Sequence, residues 1–337
     1  MENTPLVTVI VAAYNVDRWL YDCLDSILNQ SYRNWECLIV NDGSKDRTKD
    51  VALAFCERDA RFKLIDKINE GVPTVRNMGL DNAQGNFIQF IDGDDMLTED
   101  CLEYSISNIG ESHILASDCI AISNGGTFIR QTNQGEEIEI DRTQSLRWTL
   151  NRKLLSSVWS KFYRRNIIGD LRFNKVLLGG EDIYFNTELL LKHPDIKVKV
   201  SNHPIYRYRI INSSISHIRN NARLKRAKVL VEEMDRLYEM NKETIDQECL
   251  DEYARNMIRE LMFHYSLQGT IKRTEPSLLP LLRKWHTLLV DKTSKEFAQT
   301  KFVETEFSAQ TDLRLTLRYL PETIRGYAKR LLSVVRK

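Results

Sequence analysis

Asn86-Phe87-Ile88-Gln89-Phe90-Ile91-Asp92-Gly93-Asp94-Asp95 runs from a hydrophobic strand directly into three carboxylates within four positions. Carboxylates this close repel one another. A hard divalent ion offsets that repulsion and keeps coordination positions open for the oxygens of a diphosphate; a solvated Asp-Gly turn between strand and helix is the plainer alternative. Two earlier runs, Val7-Thr8-Val9-Ile10-Val11-Ala12-Ala13-Tyr14-Asn15 and Trp35-Glu36-Cys37-Leu38-Ile39-Val40-Asn41-Asp42-Gly43-Ser44, are also short and apolar and end in small or polar residues, as buried parallel strands do. Between them Trp19, Leu20, Cys23, Leu24, Ile27 and Leu28 recur at helical spacing, and Val51, Leu53, Ala54 and Phe55 follow Asp46 in the same way. Alternating strands and helices predict an open α/β sheet, whose ligands bind beyond the carboxyl ends of the strands. Asp42 and Asp92 are therefore expected to face one cleft.

Ala12-Ala13-Tyr14-Asn15, Asn41-Asp42-Gly43-Ser44, Asn69-Glu70-Gly71 with Arg76-Asn77-Met78-Gly79, Asp92-Gly93-Asp94-Asp95 and Gly180-Glu181-Asp182 follow one another in this order. Together they resemble the ordered motifs of the family 2 glycosyltransferases, over roughly two thirds of the chain, Pro5 to His217. The resemblance implies an α/β fold of the GT-A type, a Rossmann-like nucleotide-sugar-binding domain, and an inverting, metal-dependent transfer of one sugar from a nucleotide donor, UDP in the first instance. The acceptor it implies is a hydroxyl of a lipid-linked or growing surface polysaccharide. Around the donor it places Ala13, Tyr14, Asn15, Asp42, Asn69, Gly71, Arg76, Asp92 and Gly93. Asp94, with Asp92, matches the acids that hold Mn2+ or Mg2+, and His217 stands where some relatives complete the metal shell; a surface histidine is the alternative there. Asp182 matches the general base, an assignment that competes with a purely structural role for two acids at a helix start, favoured by the helix dipole.

Other residues keep two readings. Arg76 is a cation facing the donor phosphates or an internal carboxylate, or an ion pair on a helix face. Asp95 reads as the N-terminal cap of the following helix. Trp159, in Val158-Trp159-Ser160-Lys161-Phe162-Tyr163-Arg164-Arg165, stacks on a sugar ring or packs in the core. Gln144-Ser145-Leu146-Arg147-Trp148 spells the QxxRW signature of processive polysaccharide synthases, but it precedes Glu181-Asp182 instead of following them. It reads as a coincidence on an amphipathic helix. Asn124-Gly125-Gly126 and Leu177-Leu178-Gly179 are the loops expected to discriminate between sugars.

The 337 residues carry a formal charge of +1, with 42% hydrophobic and 28% charged residues, ordinary values that predict a globular chain without a general attraction to nucleic acid. Six cysteines lie singly in apolar patterns with no CxxC pair, as small core residues of a reducing compartment do. No run approaches the ~18 apolar residues of a membrane span, and no signal peptide is legible. The expected location is cytoplasmic, and a helix lying peripherally at the inner membrane surface, or an ordinary helix packed on the domain with a solvated charged side, are the two readings of the tail. There Ile324, Tyr327, Ala328, Leu331, Val334 and Val335 oppose Arg325, Lys329, Arg330, Arg336 and Lys337 along a helix opened by Pro321. From about Asn220 glycine becomes rare and long helical patterns take over. The expected organisation is a catalytic domain over 1–218 and a helical C-terminal region over 219–337, with Glu275-Pro276 and Pro280 marking a loop between helices.

Two other enzyme classes and one binding module compete for the same residues. A sugar-1-phosphate nucleotidyltransferase needs a glycine-rich loop after the first strand, and Ala12-Ala13-Tyr14-Asn15 has none. A polyprenyl-phosphate sugar synthase would share the fold and differ in acceptor. A catalytically silent sugar-nucleotide-binding module could dispense with Asp182.

Overall fold

The computed structural model describes residues 4–123, 126–130, 137–211, 221–257, 260 and 279–288. The chain divides into two compact units, residues 1–245 and 246–337. In chain order the first unit contains β1 (Val7–Ala13), α1 (Asp17–Leu28), β2 (Trp35–Asp42), α2 (Thr48–Arg58), β3 (Phe62–Lys67), α3 (Val72–Asn82), β4 (Phe87–Asp92) and β5 (Met96–Leu97). There follow α4 (Cys101–Asn108), β6 (Ile114–Ser123), β7 (Gly126–Arg130), β8 (Ile138–Ile140), α5 (Arg142–Leu150), β9 (Lys161–Arg164), α6 (Arg165–Ile168), α7 (Glu181–Lys192), β10 (Val198–Arg209) and α8 (Asn221–Asn241). The boundary expected near residue 218 thus falls ahead of α8, which stands in the first unit.

The strands form one sheet in the order β3-β2-β1-β4-β9-β6-β10-β5, with β7 on β6 and β8 on β10. β3, β2, β1 and β4 are parallel neighbours. All eight residues of β2 are buried, as expected of a parallel strand covered on both faces. β9 then runs antiparallel between β4 and β6. In β1 and β4, Ala12 lies opposite Asp92, and across β2 Ala13 lies opposite Asn41. The three strands therefore end at one level, with Asp42 and Asp92 on either side of the β1 terminus.

α1 buries Leu20, Cys23, Leu24 and Ile27, as the sequence period requires. α2 differs from expectation: Thr48, Ala52 and Phe55 face the core, while Leu53 and Ala54 are exposed. The hydroxyl of Thr48 accepts from the Val16 N–H at 2.8 Å, which turns that face inward. α3 approaches β1 closely through Gly79, where a Cβ would lie 2.3 Å from Ile10 Cγ2. In the second unit Cys249, Tyr253, Ala254, Met257 and Trp285 are buried, and the Tyr253 and Trp285 rings stack at 5.3 Å. Pro280 is not in a loop there. It occupies the first turn of a helix, Leu279–Leu288, where the missing N–H has no intrahelical partner to lose. His217, the 321–337 tail, Asn124-Gly125 and Glu275-Pro276 lie outside the described residues.

Gly79→Ala pits two effects against each other. Alanine favours the helix by about 1 kcal/mol, but overpacking against a β-branched core residue costs about 1–3 kcal/mol. The overlap with Ile10 should win, giving a lower urea midpoint; a midpoint at or above wild type would contradict the packing.

Candidate active site

Three groups of residues converge at the carboxyl ends of β1, β2 and β4. On the β2 side, Asp42 is buried and already receives three donors: Lys67 Nζ at 2.7 Å and Glu70 N at 3.0 Å on Oδ1, and Gly71 N at 2.9 Å on Oδ2. A carboxylate offers about four acceptor positions, so one remains, on Oδ2. Asp42 thus fastens the Lys67–Gly71 turn. Burial alone would depress the Lys67 ammonium, but its bonds to Asp42 and Glu70 raise it above the usual lysine value. Gly71 has φ +91°, and a Cβ there would meet Leu178 Cδ2 at 2.8 Å, which explains glycine at the turn into α3.

At the end of β1, Ala13 is buried and Tyr14 is exposed. Asn15 takes a left-handed φ of +51°. Its N–H donates to Ser44 Oγ at 2.9 Å and its Oδ1 accepts from Lys45 N at 2.8 Å, locking the β1 and β2 loops together. Asn69 is exposed at the same rim. Gly93 N donates to Ala12 O at 2.8 Å, and a Cβ at Gly93 would sit 3.0 Å from that oxygen, so the Asp92-Gly93-Asp94 turn lies directly on β1.

This turn is held from behind by β10. The Tyr206 hydroxyl accepts from Asp92 N at 3.1 Å and donates to Asp95 Oδ2 at 2.8 Å, while Arg209 N donates to Asp95 Oδ1 at 2.6 Å. Asp95 is therefore a buried tie between β4 and β10. It does not cap a helix: α4 begins at Cys101, with Asp100 at its N-cap. Burial, with the Asp94 and Asp92 charges beside it, raises Asp95 to about 9 despite the bonds from Arg209 and Tyr206. Trp159 stacks on Tyr206 at 4.4 Å and is buried, so it packs in the core and has no open face for a sugar ring.

The third group is organised by Arg76, whose side chain is 4% exposed. Its Nη1 donates to Glu181 Oε1 at 3.1 Å and to Asp182 Oδ1, and its Nη2 donates to Asp92 Oδ1 at 3.3 Å. The Phe173 ring lies 5.3 Å from the guanidinium. Arg76 thus faces internal carboxylates. Asp182, at the start of α7, also accepts from Val158 N at 3.1 Å through Oδ2. Burial raises both Asp182 and Glu181, the latter to about 7, against the pull of Arg76. Gly180 enters α7 at φ +79°, and a Cβ there would lie 2.4 Å from Leu230 Cδ2 of α8.

Asp94 is the acid left over. Burial and the Asp92 charge push it up to about 6, with its own backbone N–H and the Arg209 charge opposing. Two hard oxygen ligands in mutual repulsion suit Mg2+ or Mn2+, which is commonly held by one or two carboxylates and completed by substrate phosphates. Among the described residues no group of three or more His, Cys, Asp or Glu side chains forms a closed metal cage, and Asp92 and Asp94 are what the protein itself would offer.

Several contacts were illegible in the sequence: Val158 N on Asp182, Tyr206 beneath the Asp92–Asp95 turn, and Lys67 on Asp42. The available signal was a charged or hydroxylated residue inside an apolar run, as at Tyr206 and at Lys161. The QxxRW run forms α5 over Arg142–Leu150, with Ser145, Leu146, Thr149 and Leu150 buried.

An α/β sheet whose acids gather at the carboxyl ends of its parallel strands, continued by an antiparallel β9, has the architecture of the GT-A fold. The sequence profile of glycosyl transferase family 2 matches residues 8–172. EpsH of Bacillus subtilis (strain 168), which is named a glycosyltransferase, is 31% identical over 277 residues, 79% of this chain and 76% of EpsH. Glycosyltransferase GlyA of Streptococcus pneumoniae serotype 4 is 35% identical over 226 residues, 63% of this chain but 32% of GlyA. The fold is similar to that of S. aureus TarS 1-349 in complex with UDP-GlcNAc, at TM-score 0.66 and 18% identity over 89% of each chain. The chain belongs to glycosyl transferase family 2 and is a glycosyltransferase.

Arg76→Met should cost about 3–5 kcal/mol at neutral pH, because it removes the one cation that all three acids contact. The folded-state pKa values of Asp182 and Glu181 already exceed the unfolded ones and would rise further. A raised acid contributes stability at low pH that is lost as pH climbs through its folded value. The deficit should therefore be small near about pH 4 and grow through neutrality, as read by denaturant midpoints; a pH-independent deficit would contradict it. Tyr206→Phe leaves the Asp92 N–H and Asp95 short of a partner and should cost about 1–3 kcal/mol, measured the same way; an unchanged midpoint would exclude the tie.

Proposed function

We propose that this enzyme transfers one sugar, with inversion, from a UDP-sugar to a hydroxyl of a lipid-linked or growing surface polysaccharide, using a divalent cation. The observation that carries this is the juxtaposition on Arg76 of Asp92, from the donor-side turn, with Asp182. An inverting displacement needs one carboxylate at the acceptor hydroxyl, opposite the leaving diphosphate. UDP is favoured because TarS, whose fold is similar, is known in complex with UDP and with UDP-GlcNAc. PcManGT, in complex with GDP-Man and Mn2+, shares the fold at TM-score 0.50, so the base is the least constrained part of the donor.

In this reading Tyr14, exposed at the end of β1, and the remaining acceptor position of Asp42 receive the nucleoside. Mn2+ or Mg2+, held by Asp94 and Asp92, would neutralise charge on the leaving diphosphate. Asp182 takes the proton from the acceptor hydroxyl as its oxygen bonds to the anomeric carbon and the bond to the diphosphate oxygen breaks. Asp182 Oδ1 is held by Arg76 and Oδ2 by Val158 N. Each oxygen keeps a lone pair for this step.

Asp182→Asn removes the proton acceptor and presents an amide NH2 to one of the two donors. Transfer should fall by ~10² or more, while calorimetry should find UDP affinity close to wild type; transfer at the wild-type rate would move the base elsewhere, to Glu181 first. Asp94→Ala and chelation of the wild type should each abolish turnover, and full activity in chelator would remove the cation from the scheme.

A further inference from the structure

Lys161 is a buried cation that the scheme above does not use. It lies on β9 and is 3% exposed, and its ammonium donates to two backbone carbonyls, Leu155 O and, at 2.8 Å, Ser157 O. The same short segment is fastened at the intervening carbonyl by Asn186, whose Nδ2 donates to Ser156 O at 2.9 Å and to Asp182 O at 2.9 Å. Tyr163 OH, two residues along β9, donates to Asn186 Oδ1 at 2.8 Å. The next N–H along, that of Val158, is the one that reaches Asp182 Oδ2 at 3.1 Å. Three consecutive carbonyls are thus held by Lys161 and Asn186 while the following N–H points at Asp182.

Burying an ammonium against neutral carbonyls alone is unfavourable. Burial pulls Lys161 down to about 7, and among the described residues Asp182 is the only acid whose charge opposes this. Asp182 is faced in turn by Arg76 from α3, Asp92 from β4, Glu181 from its own helix, and Tyr163 and Lys161 from β9. Around it two cations, Arg76 and Lys161, are set against two further acids, Asp92 and Glu181, so each cation matters to its charge.

We propose that Lys161 is a positioning residue for Asp182: its buried ammonium draws the Leu155 and Ser157 carbonyls inward, which aims the Val158 N–H at Asp182 Oδ2, and it sets a positive charge behind that carboxylate. The consequence for catalysis rests on the reading of Asp182 as the base; the coupling between the two side chains does not.

Two measurements on the full chain separate these points. NMR of protein carrying lysine labelled at Cε follows the Lys161 titration in wild type and in Asp182→Asn. Coupling is reciprocal, so loss of the Asp182 charge should lower the Lys161 midpoint by about one pH unit; the same midpoint in both proteins would overturn the proposal. This arm does not require a Lys161 variant to fold. In Lys161→Met, the acid limb of the kcat/KM profile for transfer should move up by about one pH unit, because the ionised base has lost a cation, with UDP affinity close to wild type. Parallel losses of UDP affinity and activity with an unmoved limb would mark Lys161 as a structural residue only and overturn the positioning role. A lowered Lys161 midpoint in Asp182→Asn, together with an unmoved limb and unchanged UDP affinity in Lys161→Met, would support the coupling and remove Asp182 as the base.

Discussion

One buried guanidinium holds the two halves of the site together. Arg76 reaches Asp92 at the end of β4 and Glu181 and Asp182 at the start of α7, and these acids lie 16 to 106 residues away in sequence. Removing an ion of this size from water costs several kcal/mol even after relaxation, so Arg76 persists only because its carboxylates are in place, and they persist only because it is. The planar fork explains why arginine occupies the position. A lysine could not present two nitrogens to separate elements in one plane. With three acids on one cation the balance stays negative, and burial leaves Glu181 near about 7. The site therefore retains in Glu181 an acid close to gaining or losing a proton at neutral pH.

Around this centre the sheet divides the work. The parallel strands β3, β2, β1 and β4 carry Asp42, Tyr14 and the Asp92-Gly93-Asp94 turn, which form the proposed donor side. The antiparallel β9 and the helix α7 that follows carry the residues around Asp182. β10 passes behind the donor turn and fastens it through Tyr206 and Asp95. Backbone N–H groups do much of the positioning: Gly71 on Asp42, Val158 on Asp182, Arg209 on Asp95. Such groups move only if the chain moves. The geometry of the acids is thus tied to the stability of the sheet itself.

The parts legible in the sequence are those set by local periodicity. β1, β2 and β4 are apolar runs ending in polar residues, and α1 repeats its core face every three to four positions, so both follow from nearest-neighbour chemistry. What escaped depends on partners far along the chain. Asp95 has the composition of a helix cap, yet its partners are a tyrosine 111 and a backbone N–H 114 residues later. Leu53 is a larger hydrophobe than Ala52, but Thr48 and Phe55 set the buried face and leave Leu53 in solvent. β9 is only four residues long, Lys161–Arg164, with a charge at each end, too short for a period to mark it as a strand; its place between β4 and β6 is decided by pairing, not by composition. Trp159 could be placed only once Tyr206 lay against it.

In the proposed reaction a single displacement assisted by Asp182, with the leaving diphosphate on the opposite face of the sugar, would fix the stereochemistry of the product. The most direct measurement is the anomeric proton coupling, by NMR, of the saccharide formed from an α-linked UDP-sugar that the enzyme turns over. The account predicts the β-configured product, inverted at the anomeric carbon. An α-configured product, with retention, would contradict it and require a different role for Asp182.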